Sequence, residues 1–162
     1  MKYAGIIYND FAAAPGVSLS FFTQGCPHKC KGCHNPETWS FGGGHEFTAE
    51  ALDNIIAGLQ ANGIKRTLCI MGGEPLCPEN TFLVDMIIRT VKEKIPDIKI
   101  YIWTGYLYEN LITISEPHLS HILEETDVLI DGPYIESLRD ITLPMRGSSN
   151  QRIINLKEKI DE

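Results

Sequence analysis

The sequence predicts an α/β fold with a mostly parallel sheet, arranged as a partial, open βα barrel. Three observations predict it. Strand-like and helical periodicities alternate through most of the chain beyond residue 47, which implies right-handed βαβ units. The chemically unusual residues fall just after strands, and parallel strands end along one edge where such folds build their sites. With 162 residues the chain fits one domain, 1–162, and one core, whereas a closed eight-stranded barrel typically takes about 250.

Tyr3–Tyr8 reads as an opening strand, followed by Val17–Phe22, which alternates Val17, Leu19 and Phe21 against Ser18 and Ser20. Residues 23–47 form a long Gly-, Pro- and Cys-rich segment including Gly42-Gly43-Gly44. Loops of that length are usually functional or disordered, and the cysteines favour function. Thr48 caps a helix whose apolar stripe is Leu52, Ile55, Ile56 and Leu59 and which ends near Gly63. Arg66–Met71 is a strand running into Gly72-Gly73-Glu74-Pro75. A helix with Leu83, Met86, Ile87, Val91 and Ile95 on one face is stopped by Pro96. Ile98–Trp103 is a strand ending at Thr104-Gly105, and helical pieces at about 107–112 and 117–125 follow. The strand Asp127–Asp131 ends at Gly132-Pro133. No repeat or low-complexity linker marks a second domain. The cysteine loop and three further turns are therefore expected at the C-terminal ends of the strands.

Charge and composition exclude several functions. A formal net charge of −7 argues against nucleic-acid binding, which runs on clustered Lys and Arg. No apolar run approaches the roughly 20 residues of a membrane helix, so no membrane partner is expected. The first residues lack the long apolar region of a signal peptide, which places the protein in the cytoplasm. Five cysteines is an odd number, and Cys26, Cys30 and Cys33 crowd into one loop. A secreted disulfide scaffold would spread an even number along the chain; this crowding indicates a metal site.

The spacing is Cys26-x3-Cys30-x2-Cys33. Thiolates hold iron–sulfur clusters and structural zinc alike. No second close pair completes a zinc site, because Cys69 falls in a strand and Cys77 stands alone beside Pro78. His28, His34 or His45 could complete a Cys3His set, so a zinc-binding module stays open as an alternative. The spacing does not match an electron-transfer ferredoxin, which also uses a fourth cysteine. Three thiolates on a four-iron cluster leave one iron open, and an open metal position is the mark of a reactive site.

The Cys-x3-Cys-x2-Cys loop together with Gly72-Gly73-Glu74-Pro75 at a strand end resembles the radical S-adenosylmethionine superfamily. The resemblance implies a 4Fe-4S cluster on Cys26, Cys30 and Cys33. It also implies S-adenosyl-L-methionine chelated to the open iron and cleaved by one electron to a 5′-deoxyadenosyl radical. Two glycines would let backbone approach that ligand, Glu74 would accept from its ammonium, and Pro75 would fix the turn. Superfamily members usually carry an aromatic residue where this chain has Gly32, so the adenine contact must come from elsewhere, with His34, Trp39 and Phe41 the candidates.

The stretch Gln24–Trp39 resembles, more narrowly, the activating proteins of anaerobic ribonucleoside-triphosphate reductase. So do Asp127–Tyr134 and Arg146–Ile154. That resemblance implies a radical S-adenosylmethionine oxidoreductase that abstracts hydrogen from a glycine Cα of the reductase, with electrons supplied by a donor such as a flavodoxin. Another glycyl-radical activase or a small-molecule synthase of the same superfamily is the nearer alternative. His34, Asn35, Thr104 and Asp131 are further cofactor-binding candidates, the last two weighed against simple capping roles. Asn35 and Trp39 are also candidates for shaping the cluster loop. Arg146–Arg152 reads as a surface loop or a partner or cofactor contact, Lys157–Glu162 as a solvated, frayed end, Cys69 as a small buried hydrophobe and Cys77 as structural.

Overall fold

The computed structural model describes residues 1–157; the tail expectation for 158–162 lies outside the described residues. Seven strands form one sheet: β1 (Lys2–Asp10), β2 (Ser18–Thr23), β3 (His45–Glu46), β4 (Thr67–Gly72), β5 (Ile100–Trp103), β6 (Val128–Asp131) and β7 (Arg152–Asn155). Their order is β3-β1-β2-β4-β5-β6-β7. The four central strands β2, β4, β5 and β6 run parallel, while β1, β3 and β7 add antiparallel edges. The architecture is thus α/β with a mostly parallel, mixed and open sheet.

Helices α1 (Ala49–Gln60), α2 (Thr81–Lys94), α3 (Tyr108–Leu111) and α4 (Pro117–Glu125) connect the parallel strands. Those strands step across the sheet in chain order. Right-handed crossovers stepping one way set their helices on one face, and α1 touches α2 as α2 touches α4. Under them lies one core of Leu19, Phe21, Leu68, Ile70, Ile100, Ile102 and Leu129 from the sheet with Ile55, Ile87, Ile88 and Ile122 from the helices. Thr48 caps α1 by accepting from the Ala51 amide at 3.1 Å. Glu116 caps α4, accepting from the amides of His118 and Leu119 ahead of the Pro117 first turn.

The alternation in β2 is real, but Ser18 and Ser20 are as buried as Leu19 and Phe21. Parallel strands are covered on both faces, so period two here separates apolar from polar environments rather than core from solvent. Ser20 Oγ donates to Asp10 Oδ2 at 2.7 Å. The expected strands and helices recur with ends moved by one to three residues, α1 stopping at Gln60 where the sequence suggested an end near Gly63. Strand β7 falls where the sequence offers a polar loop: only Ile153 and Ile154 are apolar in it, and its pairing with β6 is a tertiary contact.

Register places the site. Thr23 pairs with Gly72, and Trp103 with Ile130, so β2, β4, β5 and β6 end side by side.

Behind the sheet, α2 and α4 are pinned by a buried carboxylate. Asp85 accepts from His118 Nδ1 at 2.7 Å, from His121 Nδ1, and from Arg89 Nε at 3.1 Å. Burial works against its ionisation, but hydrogen bonds from His118, His121 and Arg89 outweigh it and hold the carboxyl below its ordinary range. A lowered native value makes this stabilisation complete above the ordinary carboxylate value of 3.8 and lost as pH falls through the lower one. Asp85→Asn should cost about 1–3 kcal/mol at neutral pH. In thermal unfolding followed from pH 7 to pH 2, the gap between parent and variant should close only below the ordinary carboxylate range.

Candidate metal and cofactor site

The cysteine loop leaves β2 through Gly25 (φ +100°) and is strapped at its base by Gly25 N to Thr38 O (2.6 Å) and Cys26 N to Trp39 O (3.1 Å). Buried Gln24 reinforces the strap, its Nε2 donating to Glu37 O at 3.1 Å and Ser40 O at 2.7 Å. Cys26, Cys30 and Cys33 are free, half-buried and line one cavity of about 230 Å³. The Asn35 amide donates to Cys33 Sγ at 3.4 Å, and burial, foremost, raises the Cys26 thiol above its ordinary value. Gly32 stands at φ +76°, with the Glu136 carboxyl 2.9 Å from where a Cβ would lie. A residue with a side chain would be strained at that φ.

The second motif lies directly on this loop. Gly73 N donates to Thr23 O at 2.9 Å and Glu74 N to Gly25 O at 2.8 Å. A Cβ on Gly73 would fall 2.4 Å from Gly25 O, and one on Gly72 (φ +108°) 2.7 Å from Thr23 N. The two glycines thus permit close approach to the backbone that carries the cysteines; the sequence suggested approach to a ligand. Glu74 is fully buried. Its Oε1 accepts from His28 Nε2 and Gly105 N, both at 2.7 Å, and its Oε2 from Thr104 Oγ1 (2.8 Å) and Leu76 N (2.9 Å). Each oxygen thus meets two donors of the chain, and Glu74 also lines the cavity.

Of the other expected site residues, His34, Asn35, Gly72, Gly73 and Thr104 line the cavity. His34 leans on Tyr134 with ring centroids 5.3 Å apart. Pro75 is buried beside the motif and Asp131 is fully buried; neither is among the cavity-lining residues. The Asp131 carboxylate accepts from Arg152 Nε at 2.9 Å and from Tyr108 N at 2.8 Å. Cys77 is buried, with Sγ 3.2 Å from Glu74 O, and Cys69 is buried in β4; burial pushes their thiols up to about 12 and about 11.

Sequence reasoning missed Met71, Trp103, Tyr134 and Met145, which add apolar surface to the cavity; Gly147 and Gln151, which also line it, fall in the 146–152 segment read as a surface loop or a partner or cofactor contact. The polar segment at 146–152 folds back on Gly132-Pro133: Gln151 Nε2 donates to Gly132 O (3.0 Å) and Asn150 Nδ2 to Pro133 O (2.7 Å), while Trp103 Nε1 donates to Met145 O (2.7 Å). Met71 and Trp103, at the last positions before two of the turns, carried a signal that strand-end placement could have flagged.

The donor set suits a cluster. Cys26, Cys30 and Cys33 offer three free thiols to one cavity, the ligand type that holds iron–sulfur clusters. The Trp39 indole N–H, on a residue lining the same cavity, is buried without a partner among the described residues. Such a donor points to a missing acceptor, and sulfur in a cluster accepts N–H bonds. Gly73→Ala should drive the motif off the cysteine loop. We expect about 1–3 kcal/mol lower stability in thermal unfolding of the iron-free chain, and reduced iron uptake per chain on reconstitution.

Residues 12–154 match the model of a family described as 4Fe-4S single cluster domain. The chain is 41% identical over 154 residues to the anaerobic ribonucleoside-triphosphate reductase-activating protein of Vibrio cholerae, covering 94% of this chain and 97% of that one. It is 34% identical over 158 residues to the protein of that name from Escherichia coli K12, covering 97% and 100%. It is 35% identical over 153 residues to the one from Enterobacteria phage T4, covering 94% and 93%. With a motif match over nearly its whole length and relatives that align end to end, the chain belongs to the 4Fe-4S single cluster domain family, in the group of anaerobic ribonucleoside-triphosphate reductase-activating proteins.

Proposed function

We propose that this chain is an iron–sulfur activating enzyme that uses S-adenosyl-L-methionine to place a glycyl radical on anaerobic ribonucleoside-triphosphate reductase. The observation that carries the reading is three free, half-buried thiols sharing a cavity with the Gly-Gly-Glu-Pro turn, in a chain whose relatives bear that reductase in their names.

Cys26, Cys30 and Cys33 would hold the 4Fe-4S cluster. A cluster held by these thiolates would supply the electron for reductive cleavage of S-adenosyl-L-methionine, the chemistry needed to take hydrogen from a glycine Cα. The chain's own residues do the rest. Gly72, Gly73, His34, Asn35 and Thr104 line the space the ligand would occupy. Glu74 lines the same space and holds Thr104 and Gly105 in place, while Pro75 and Asp131 serve from behind, Asp131 holding Arg152. The apolar side made by Met71, Trp103, Tyr134 and Met145 excludes water and suits a heteroaromatic base, in place of the aromatic residue absent at position 32.

The finer features follow from that reading. The sheet is a partial, open βα barrel within a single domain, and its open mouth admits a polypeptide loop. Exposed edges of the thiols allow an electron to enter from a docked donor such as a flavodoxin. Free thiols in such number belong in the reducing cytoplasm. No described helix is long and apolar enough to cross a membrane.

The reconstituted, reduced protein is expected to form 5′-deoxyadenosine from S-adenosyl-L-methionine under anaerobic conditions, and Cys30→Ala to form none above background. With the reductase added, a glycyl radical should appear by paramagnetic resonance. A loaded, reducible cluster that yields no 5′-deoxyadenosine would overturn the proposal.

A further inference from the structure

We propose that His28 is a positioning residue: it latches the middle of the cysteine loop to a fixed post, Glu74, and so sets the course of Cys26 and Cys30 before any cluster arrives. The inference rests on the reading of Cys26, Cys30 and Cys33 as cluster ligands.

The loop needs such a latch. Its backbone ties are at its base, through Gly25 and Cys26, and within the loop itself, where the amides of His28 and Lys29 reach the Cys26 thiol and Cys33 N bonds to Cys30 O. Among the described residues, the His28 imidazole makes the one hydrogen bond recorded from the side chains of residues 27–32 to another part of the chain, Nε2 donating to Glu74 Oε1 at 2.7 Å. Position 28 lies midway between two of the thiols, and Lys29 beside it holds φ +49°, outside the usual range for a residue with a side chain. A segment with that backbone and so few ties opens easily unless something holds it.

The post is rigid. Three other donors, Gly105 N, Thr104 Oγ1 and Leu76 N, fix the Glu74 carboxylate from β5 and from its own turn. The imidazole also meets Tyr106 edge-on, with centroids 4.5 Å apart. Its slot exists because residue 105 is glycine: a Cβ there would lie 2.6 Å from His28 Cδ2 and 2.8 Å from Nε2. A carboxylate acceptor makes this a charge-assisted bond, stronger than one between neutral groups. Preorganising two of three ligands lowers the ordering cost of assembling the site.

Lys29 and Lys31 give a direct readout, because trypsin cuts after lysine and must open the loop to do so. In the iron-free chain His28→Ala should be cut there about tenfold faster than the parent, as expected for losing a hydrogen bond to a charged group. His28→Gln, which returns an N–H donor near the Nε2 position, should restore slow cutting. Gly105→Ala, which fills the slot from the other side and leaves His28 in place, should be cut fast. On the loaded protein, chelator should strip iron severalfold faster from His28→Ala than from the parent or His28→Gln. Parental cutting rates in both His28→Ala and Gly105→Ala, or no rescue by His28→Gln, would overturn the latch. Failure of the parent to take up iron and sulfide would instead break the cluster reading, with the trypsin comparison still deciding the latch.

Discussion

A carboxylate removed from water costs several kcal/mol unless its oxygens are satisfied, and Glu74 has no exposure at all. It has no Lys or Arg partner among its recorded contacts; four hydrogen bonds meet the cost. Two come from backbone amides, one from a hydroxyl and one from an imidazole. Those donors belong to three separate places: the turn after β4, the turn after β5, and the cysteine loop after β2. Satisfying one side chain therefore requires all three to be in register. The rest of the site depends on that requirement.

The sheet makes it achievable. Parallel pairing of β2, β4 and β5 brings their ends level, and β6 extends the same edge. Glycines at 72 and 73 then let the motif backbone lie against residues 23–25 with no side chain between. Asn80 adds a clamp, its Nδ2 donating to Gly25 O (3.2 Å) and Glu74 O (2.8 Å). Behind this rigid assembly the thiols face a shared cavity, and the opposite wall is closed by the returning segment before β7. Affinity for a cluster and for its ligand would come from side chains that need not rearrange.

Much of this was legible in the sequence, for physical reasons. Thiolate spacing states its own chemistry, and the helices carry a 3.6-residue stripe that shows their buried face. The four turns at strand ends could be aligned because parallel βαβ order fixes direction. What stayed hidden depends on contacts between distant residues. Glu74 looks the same in sequence whether it faces a ligand or the protein's own donors. Nothing local to Asp131 announces that Arg152, paired with it across β6 and β7, donates to its carboxylate. Strand β7 has only two apolar residues to announce it, and His28, offered by the sequence as a fourth zinc ligand, gives no local sign of its bond to Glu74. Of the seven strands in the open sheet, the short edge strands β3 and β7 are the ones that local pattern conveys least.

One measurement bears most directly on whether the three thiols hold a cluster with an open iron: iron and sulfide content of the anaerobically reconstituted chain, with paramagnetic resonance of its reduced form before and after adding S-adenosyl-L-methionine. The expected result is four irons per chain, as in a 4Fe-4S domain, and a signal that changes when the ligand is added. A single zinc per chain, or a four-iron cluster whose signal ignores S-adenosyl-L-methionine, would contradict it.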